Sequence, residues 1–270
     1  MIQDYFKPQT IEEAVKLKEK YKNEAVFIAG GTDVNCADSK YEIEKVIGIE
    51  QLKLTDISKT NDGISIGAGV TVQELTDSPE ISDQLTTAAT HFVNRNIRNI
   101  ATIGGNIASN KSVSSLIPVL VALDAELKLG GSAENVAVYD YITQEMTHLI
   151  ESITISSENL KKKYCLRKFS QSANDISIIT TAVSFNIQNE ILSDIRVAVG
   201  GVSRHVERLT ELENKLEGNK VPAPEEIETT VKNAVTPLSD IRGCAEFKKY
   251  MAGVFVSDCI HNAYSRGGQV

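Results

Sequence analysis

The order of local signals changes once along this chain, between Ser156 and Lys163, and that change limits the folds open to it. Before it, helical and strand-like segments alternate. After it come three strand-like runs, Tyr164–Arg167, Ile178–Ile187 and Ile191–Val199, and then only helices. Short turns between consecutive strands predict an antiparallel sheet. Strands followed by helices make the class α+β. The polar segment at the change is the expected boundary. It divides a first domain over residues 1–160, with subdomains at about 1–55 and 56–160, from a second over 161–270. A chain of 270 residues has room for two domains.

In the first part, Thr10 and Glu13 form a capping box ahead of an apolar stripe at Ile11, Ala14, Val15, Leu17 and Tyr21. Ala25–Ala29 reads as a buried strand that stops at Gly30-Gly31, and Lys45–Ile49 as another. Asn61-Asp62-Gly63 marks a turn into a strand at Ile64–Ile66. Thr71 and Glu74 open a second capped helix. Ile81–Phe92 and Ser114–Leu123 read as helices, Ala125–Leu129 and Leu149–Ile155 as strands. In the second part, helices are expected over Thr210–Leu216, from Pro224, and over Ala245–Tyr264. Phe247, Met251, Val254, Phe255 and Cys259 predict one apolar face on the last helix, turned to the sheet.

The net charge of −8 gives no drive toward nucleic acid, so an anionic ligand must be held by local groups. No stretch reaches the roughly 20 apolar residues of a membrane-spanning helix. The N-terminus lacks a secretory leader pattern, so the cytoplasm is the expected location. Cys36, Cys165, Cys244 and Cys259 are scattered, as are the four histidines, with no metal-site spacing. Reduced, structural cysteines are expected.

Two glycine-bearing loops stand out. Ala29-Gly30-Gly31-Thr32-Asp33 follows a buried strand, where successive amides can form an anion nest and Thr32 adds a hydroxyl. The second is Ile100-Ala101-Thr102-Ile103-Gly104-Gly105-Asn106-Ile107-Ala108-Ser109, flanked by Arg95 and Arg98, which could neutralise phosphate. Gly-x-Gly-x-x-Gly, the P-loop and Gly-x-Ser-x-Gly are all missing. Two such loops in one domain favour a dinucleotide carrying a diphosphate.

Phe27 to Asp33 and Ile97 to Ile107 resemble the two flavin loops of the FAD-binding subunit of molybdenum hydroxylases, the family of xanthine dehydrogenase and carbon monoxide dehydrogenase. Ile195-Arg196-Val197-Ala198-Val199-Gly200-Gly201-Val202 and Asp240 to Tyr250 are similar to that family's C-terminal domain. The resemblance implies a two-part FAD-binding domain of the PCMH/vanillyl-alcohol-oxidase type, followed by a domain with a three-stranded antiparallel sheet and helices. It also implies that Phe27, Ile28, Ala29, Gly30, Gly31, Thr32, Asp33 and Val34 wrap the diphosphate and ribityl chain of FAD. Thr102, Gly104, Gly105 and Asn106 would contact FAD from the second loop, and Arg167 stands where the family often has Lys or Arg near the flavin. Ser115 occupies the place where the family has Asp.

By the same resemblance, a large partner subunit holds molybdopterin and a small one holds two [2Fe–2S] clusters. Electrons then reach FAD and leave to NAD(P)⁺ or another acceptor. FAD is expected to be non-covalent, because neither loop contains His or Cys. A free-standing FAD oxidase of the vanillyl-alcohol-oxidase type and a flavin-free scaffold are the competing readings.

Overall fold

The computed structural model describes residues 2–36, 43–173 and 175–265. A first small layer holds β1 (Asp4–Phe6), α1 (Ile11–Tyr21), β2 (Ala25–Ile28) and β3 (Lys45–Gly48). β3 lies between β1 and β2, and both pairings are parallel. Thr10 caps α1 by accepting from Glu13 N at 3.2 Å. The Glu13 carboxylate returns to the Gln9 amide rather than to Thr10, so the box is shifted by one residue. Nothing in the sequence predicts β1. Its three residues are mostly exposed and only the ladder to β3 makes it a strand.

The second layer runs through β4 (Ile57–Thr60), β5 (Gly63–Gly67), α2 (Val72–Asp77), α3 (Asp83–Thr90), α4 (Arg95–Arg98), α5 (Ile103–Ser109), α6 (Ile117–Ala122), β6 (Glu126–Leu129), β7 (Asn135–Ala137), α7 (Val138–Thr143) and β8 (Ile150–Ser156). Its strands form an antiparallel sheet in the order β4-β5-β8-β6-β7. The sheet buries Ile64, Ile66, Leu127, Ile153 and Ile155 against Leu85, Ile107, Leu116 and Leu120 of the helices. Each such side chain contributes about 1.5–3 kcal/mol on burial. The capping box at Thr71 is complete, with Glu74 N on Thr71 Oγ1 at 3.2 Å and Thr71 N on the Glu74 carboxylate at 2.7 Å.

After α8 (Ser157–Lys161) come β9 (Lys163–Phe169), β10 (Ile179–Gln188), β11 (Ile191–Gly200), β12 (Glu207–Arg208), α9 (Thr210–Leu216), α10 (Pro224–Ala234) and α11 (Ala245–Ser265). The sheet order is β12-β11-β10-β9, antiparallel throughout. The sequence predicts three of these strands. The fourth, β12, is a two-residue edge, too short to carry any periodicity.

α11 also departs from the single apolar face. Phe247 and Phe255 meet Phe169 of β9, with ring centroids 5.8 and 6.0 Å apart. Its Gly253 packs on the Glu228 carbonyl of α10. The helix is covered on two sides, and Val254 is only partly buried.

Strand alternation gives the C-terminal sheet two employers. Val183, Phe185, Val197 and Val199 join the core under α10 and α11. Leu166, Ala182 and Ala198 join the core of the preceding layer. On that second face Ser184 donates to the Ala122 carbonyl, and Arg196 Nε reaches Asp124 at 2.8 Å. The two units are therefore locked face to face, and the cleft described next lies along their junction.

Candidate functional site

A cleft of about 380 Å³ is lined by residues 26–34, by parts of α4, α5 and the connection to α6, by residues 146–150, and by Lys168 and residues 175–177. Its first wall is the turn that leaves β2. Gly31 takes φ +71°, a conformation that glycine adopts without penalty. The turn closes through Asn35 N on the Gly31 carbonyl and Cys36 N on the Asp33 carbonyl. Among the described residues, the amides of Gly30, Gly31, Thr32, Asp33 and Val34 donate to no backbone carbonyl. Five consecutive N–H groups without a backbone partner among the described residues stand beside the cleft, the feature an anion nest requires.

The second wall works differently. Thr102 caps α5 by accepting from Gly105 N at 3.0 Å. Ile103 N goes to the Val70 carbonyl, Gly104 N to that of Ala68, and Asn106 N to that of Thr102. The amides at the start of α5 are thus consumed inside the protein. What this wall offers a ligand is its side chains. The Thr102 hydroxyl keeps its proton to donate. Asn106 Oδ1 accepts from Ser114 Oγ at 2.7 Å, which leaves the Asn106 N–H donors for the cleft. The same Ser114 oxygen accepts from Leu116 N and Ile117 N and so starts α6.

The C-terminal domain holds this wall in place. Ser177 Oγ donates to the Val113 carbonyl at 2.7 Å, and Gly201 N donates to both the carbonyl and the hydroxyl of Ser112. Ser115, buried next to Ser114, lines the cleft. At the opposite end Lys18, its pKa lowered by burial, donates to the carbonyls of Lys22 and Ala25.

Phe27, Ile28, Ala29, Gly30, Gly31, Thr32, Asp33, Val34, Thr102, Gly104, Gly105, Asn106 and Ser115 all line this one cleft. Arg167 is the expected contact that the structure places elsewhere. Odd-numbered residues of β9 face α11, and Arg167 is ion-paired with Asp258 there and sits over the Phe255 ring. Its even-numbered neighbour Lys168 lines the cleft instead and donates to the His91 carbonyl at 2.9 Å. Strand parity relative to the apolar Leu166 is the signal that could have separated the two. Burial lowers the pKa of Lys168, and burial together with that ammonium lowers the pKa of His91.

Arg95 and Arg98 do not line the cleft. Arg98 is spent on Gln73 and the Phe92 carbonyl, and Arg95 is exposed. Ser114, Lys168 and residues 146–150 are site residues that sequence reasoning does not single out. Cys36 and His148 line the cleft just outside the two loops. Among the described residues no cluster of His, Cys, Asp and Glu could hold a metal, and no helix is long and apolar enough to cross a membrane.

Comparison with known proteins identifies the family of the chain. A family described as the FAD binding domain in molybdopterin dehydrogenase matches residues 1–157, and one described as the CO dehydrogenase flavoprotein C-terminal domain matches residues 164–263. The protein YgfM of Escherichia coli strain K12 is 33% identical over 268 residues, covering 99% of this chain and 98% of that protein. The nicotine 6-hydroxylase medium subunit of Paenarthrobacter nicotinovorans is 25% identical over 279 residues, covering 97% of each. A solved carbon monoxide dehydrogenase from Hydrogenophaga pseudoflava shares the fold, with a TM-score of 0.89 at 23% identity over 98% of each chain. The chain therefore belongs to the family of FAD-binding flavoprotein subunits of the molybdenum hydroxylases.

Proposed function

We propose that this chain is the FAD-carrying electron-transfer subunit of a multisubunit molybdenum hydroxylase, whose molybdopterin and [2Fe–2S] clusters sit on partner subunits. Bound FAD supplies the capacity to take up electrons from the clusters and pass them to NAD(P)⁺ or another acceptor. The observation that carries the reading is the row of five amides at Gly30–Val34 that have no backbone partner among the described residues, set across one cleft from Thr102, Gly105 and Asn106.

The residues fit the dinucleotide. The amide row suits a diphosphate. Thr102 and Asn106 present donors, and a Cβ on Gly105 would meet nothing but Thr102 Oγ1, so that position leaves space for a ligand. Lys168 sets a cation against the far wall, and Ser177 and Gly201 keep the second wall still.

Affinity purification of the chain expressed with its native partners, followed by flavin, iron and molybdenum analysis, tests the reading. FAD should be present and should stay in solution after acid precipitation, with iron and molybdenum in the co-purified subunits. A chain that stays colourless after incubation with FAD would support the scaffold reading. Oxidase turnover by the isolated yellow chain would support the vanillyl-alcohol-oxidase reading.

A further inference from the structure

Asp33 stands inside the amide row, where a carboxylate opposes any incoming anion. Among the described residues its buried Oδ1 has no hydrogen-bond donor other than the ion-paired Lys111 Nζ, which reaches it from the opposite wall. Both residues line the cleft.

The backbone of Lys111 is anchored on each side. Asn110 ends α5 in the left-handed region at φ +47° and donates Nδ2 to the Ile142 carbonyl at 2.7 Å. Ser112 is held by Gly201 N. The Lys111 side chain is 53% exposed against 20% for Asp33, so its ammonium is at the open side of the pair. An ammonium has three donors, and one carboxylate oxygen does not exhaust them.

We propose that Lys111 is the cation that binds the FAD diphosphate, held over the amide row by Asp33. The proposal rests on the FAD reading above and adds a residue that neither glycine-bearing loop contains. With Lys111 the pair is neutral, so the amides can meet the phosphate oxygens without a net opposing charge. Without it the diphosphate would face the Asp33 carboxylate directly. The other use of such a pair is a clasp between the two walls, in which Lys111 only neutralises Asp33.

A double-mutant cycle separates the two uses. FAD is titrated into the apo-protein, followed by flavin fluorescence, for wild type, Lys111→Gln, Lys111→Arg, Asp33→Asn and the double variant Asp33→Asn/Lys111→Gln. Lys111→Gln should weaken FAD binding about ten-fold, the scale of one charge-assisted hydrogen bond. Its affinity should also respond less to ionic strength than that of wild type. Lys111→Arg should retain most of the affinity, and the double variant should remain weak.

A double variant restored to wild-type affinity would make Lys111 a mere neutraliser of Asp33 and overturn the proposal. Wild-type affinity in Lys111→Gln would overturn it too. If the wild-type chain itself binds no FAD, the FAD reading fails and this inference fails with it. Thermal unfolding of each variant, measured alongside, separates a loss of FAD contact from a loss of fold, since Asp33 Oδ1 is buried.

Discussion

A Cβ on Gly30 would lie 1.8 Å from the carbonyl oxygen of Ile100. The turn after β2 and the link between α4 and α5 therefore touch backbone to backbone, and Gly30 is glycine for the sake of its neighbour. Gly105 is the converse. A Cβ there would meet only Thr102 Oγ1, at 2.8 Å, with open cleft beyond it. Two glycines that look equivalent in the sequence have opposite duties: one joins the walls, the other keeps them apart.

The two should answer differently to the same substitution. Gly30→Ala should cost about 1–3 kcal/mol of folding stability, the range for overpacking, and lose FAD with it. Gly105→Ala sits in the first turn of α5, where alanine is the better helix former by about 0.5–1 kcal/mol. It should fold close to wild type, the helical gain offset by the shift its Cβ forces on the capping Thr102 hydroxyl, yet bind FAD more weakly. Urea unfolding and FAD titration on both variants check this. Equal FAD affinity in Gly105→Ala and wild type would mean that the ligand does not approach that point.

Much of this was legible because caps and punctuation are local. Thr71 with Glu74, the stop at Gly30-Gly31, and Pro224 at the head of α10 each announce themselves within four residues. β1 and β12 do not, since they exist only through pairing with β3 and β11. The second glycine-bearing loop and the residues before it carry their own caps, Asn94 accepting from Ile97 N and Thr102 from Gly105 N, which fold them into two short helices. The site loops could be found from their glycines, but not the partners that fix them. Ser177 and Gly201 reach Val113 and Ser112 from sequence distances of 64 and 89 residues, and only the folded sheet brings them there.

Arg167 and Lys168 are adjacent on β9 but face opposite sides of it, so removing each charge should give different results. Arg167→Ala removes a half-exposed pair with Asp258 and should cost less than about 1 kcal/mol of stability while leaving FAD affinity unchanged. Lys168→Met should keep the fold and weaken FAD binding, because it removes the cation from the cleft wall. Paired FAD titrations decide it. Loss of affinity in the Arg167 variant and none in the Lys168 variant would restore the assignment implied by family resemblance.

His91 should make folding pH-dependent. Burial and the Lys168 ammonium lower its pKa from 6.5, and its buried Nδ1 has no hydrogen-bond partner among the described residues. The folded state therefore binds the proton less readily than the unfolded chain. Stability from this residue is fully present above the unfolded value of 6.5 and is lost as pH falls through the window below it. Denaturant unfolding across that window should show the wild type losing stability more steeply than His91→Leu. Parallel curves for the two proteins would show that another group carries the dependence.

Ser115→Asp tests how far the site has been adapted to serine. Ser115 is buried, lines the cleft and lies two residues before α6, with Ser114 Oγ accepting from the amides of Leu116 and Ile117 at its start. A carboxylate ahead of a helix N-terminus is favoured by about 0.3–1 kcal/mol. It would also accept a hydrogen bond from a sugar hydroxyl at roughly twice the strength of a neutral oxygen. Against this stands the cost of burying the charge. The expected outcome is FAD binding equal to or tighter than that of wild type, measured by titration of the apo-protein. A clear loss of affinity would show that the connection has been rebuilt around a serine hydroxyl, and that the acid of the family has no counterpart role at this position.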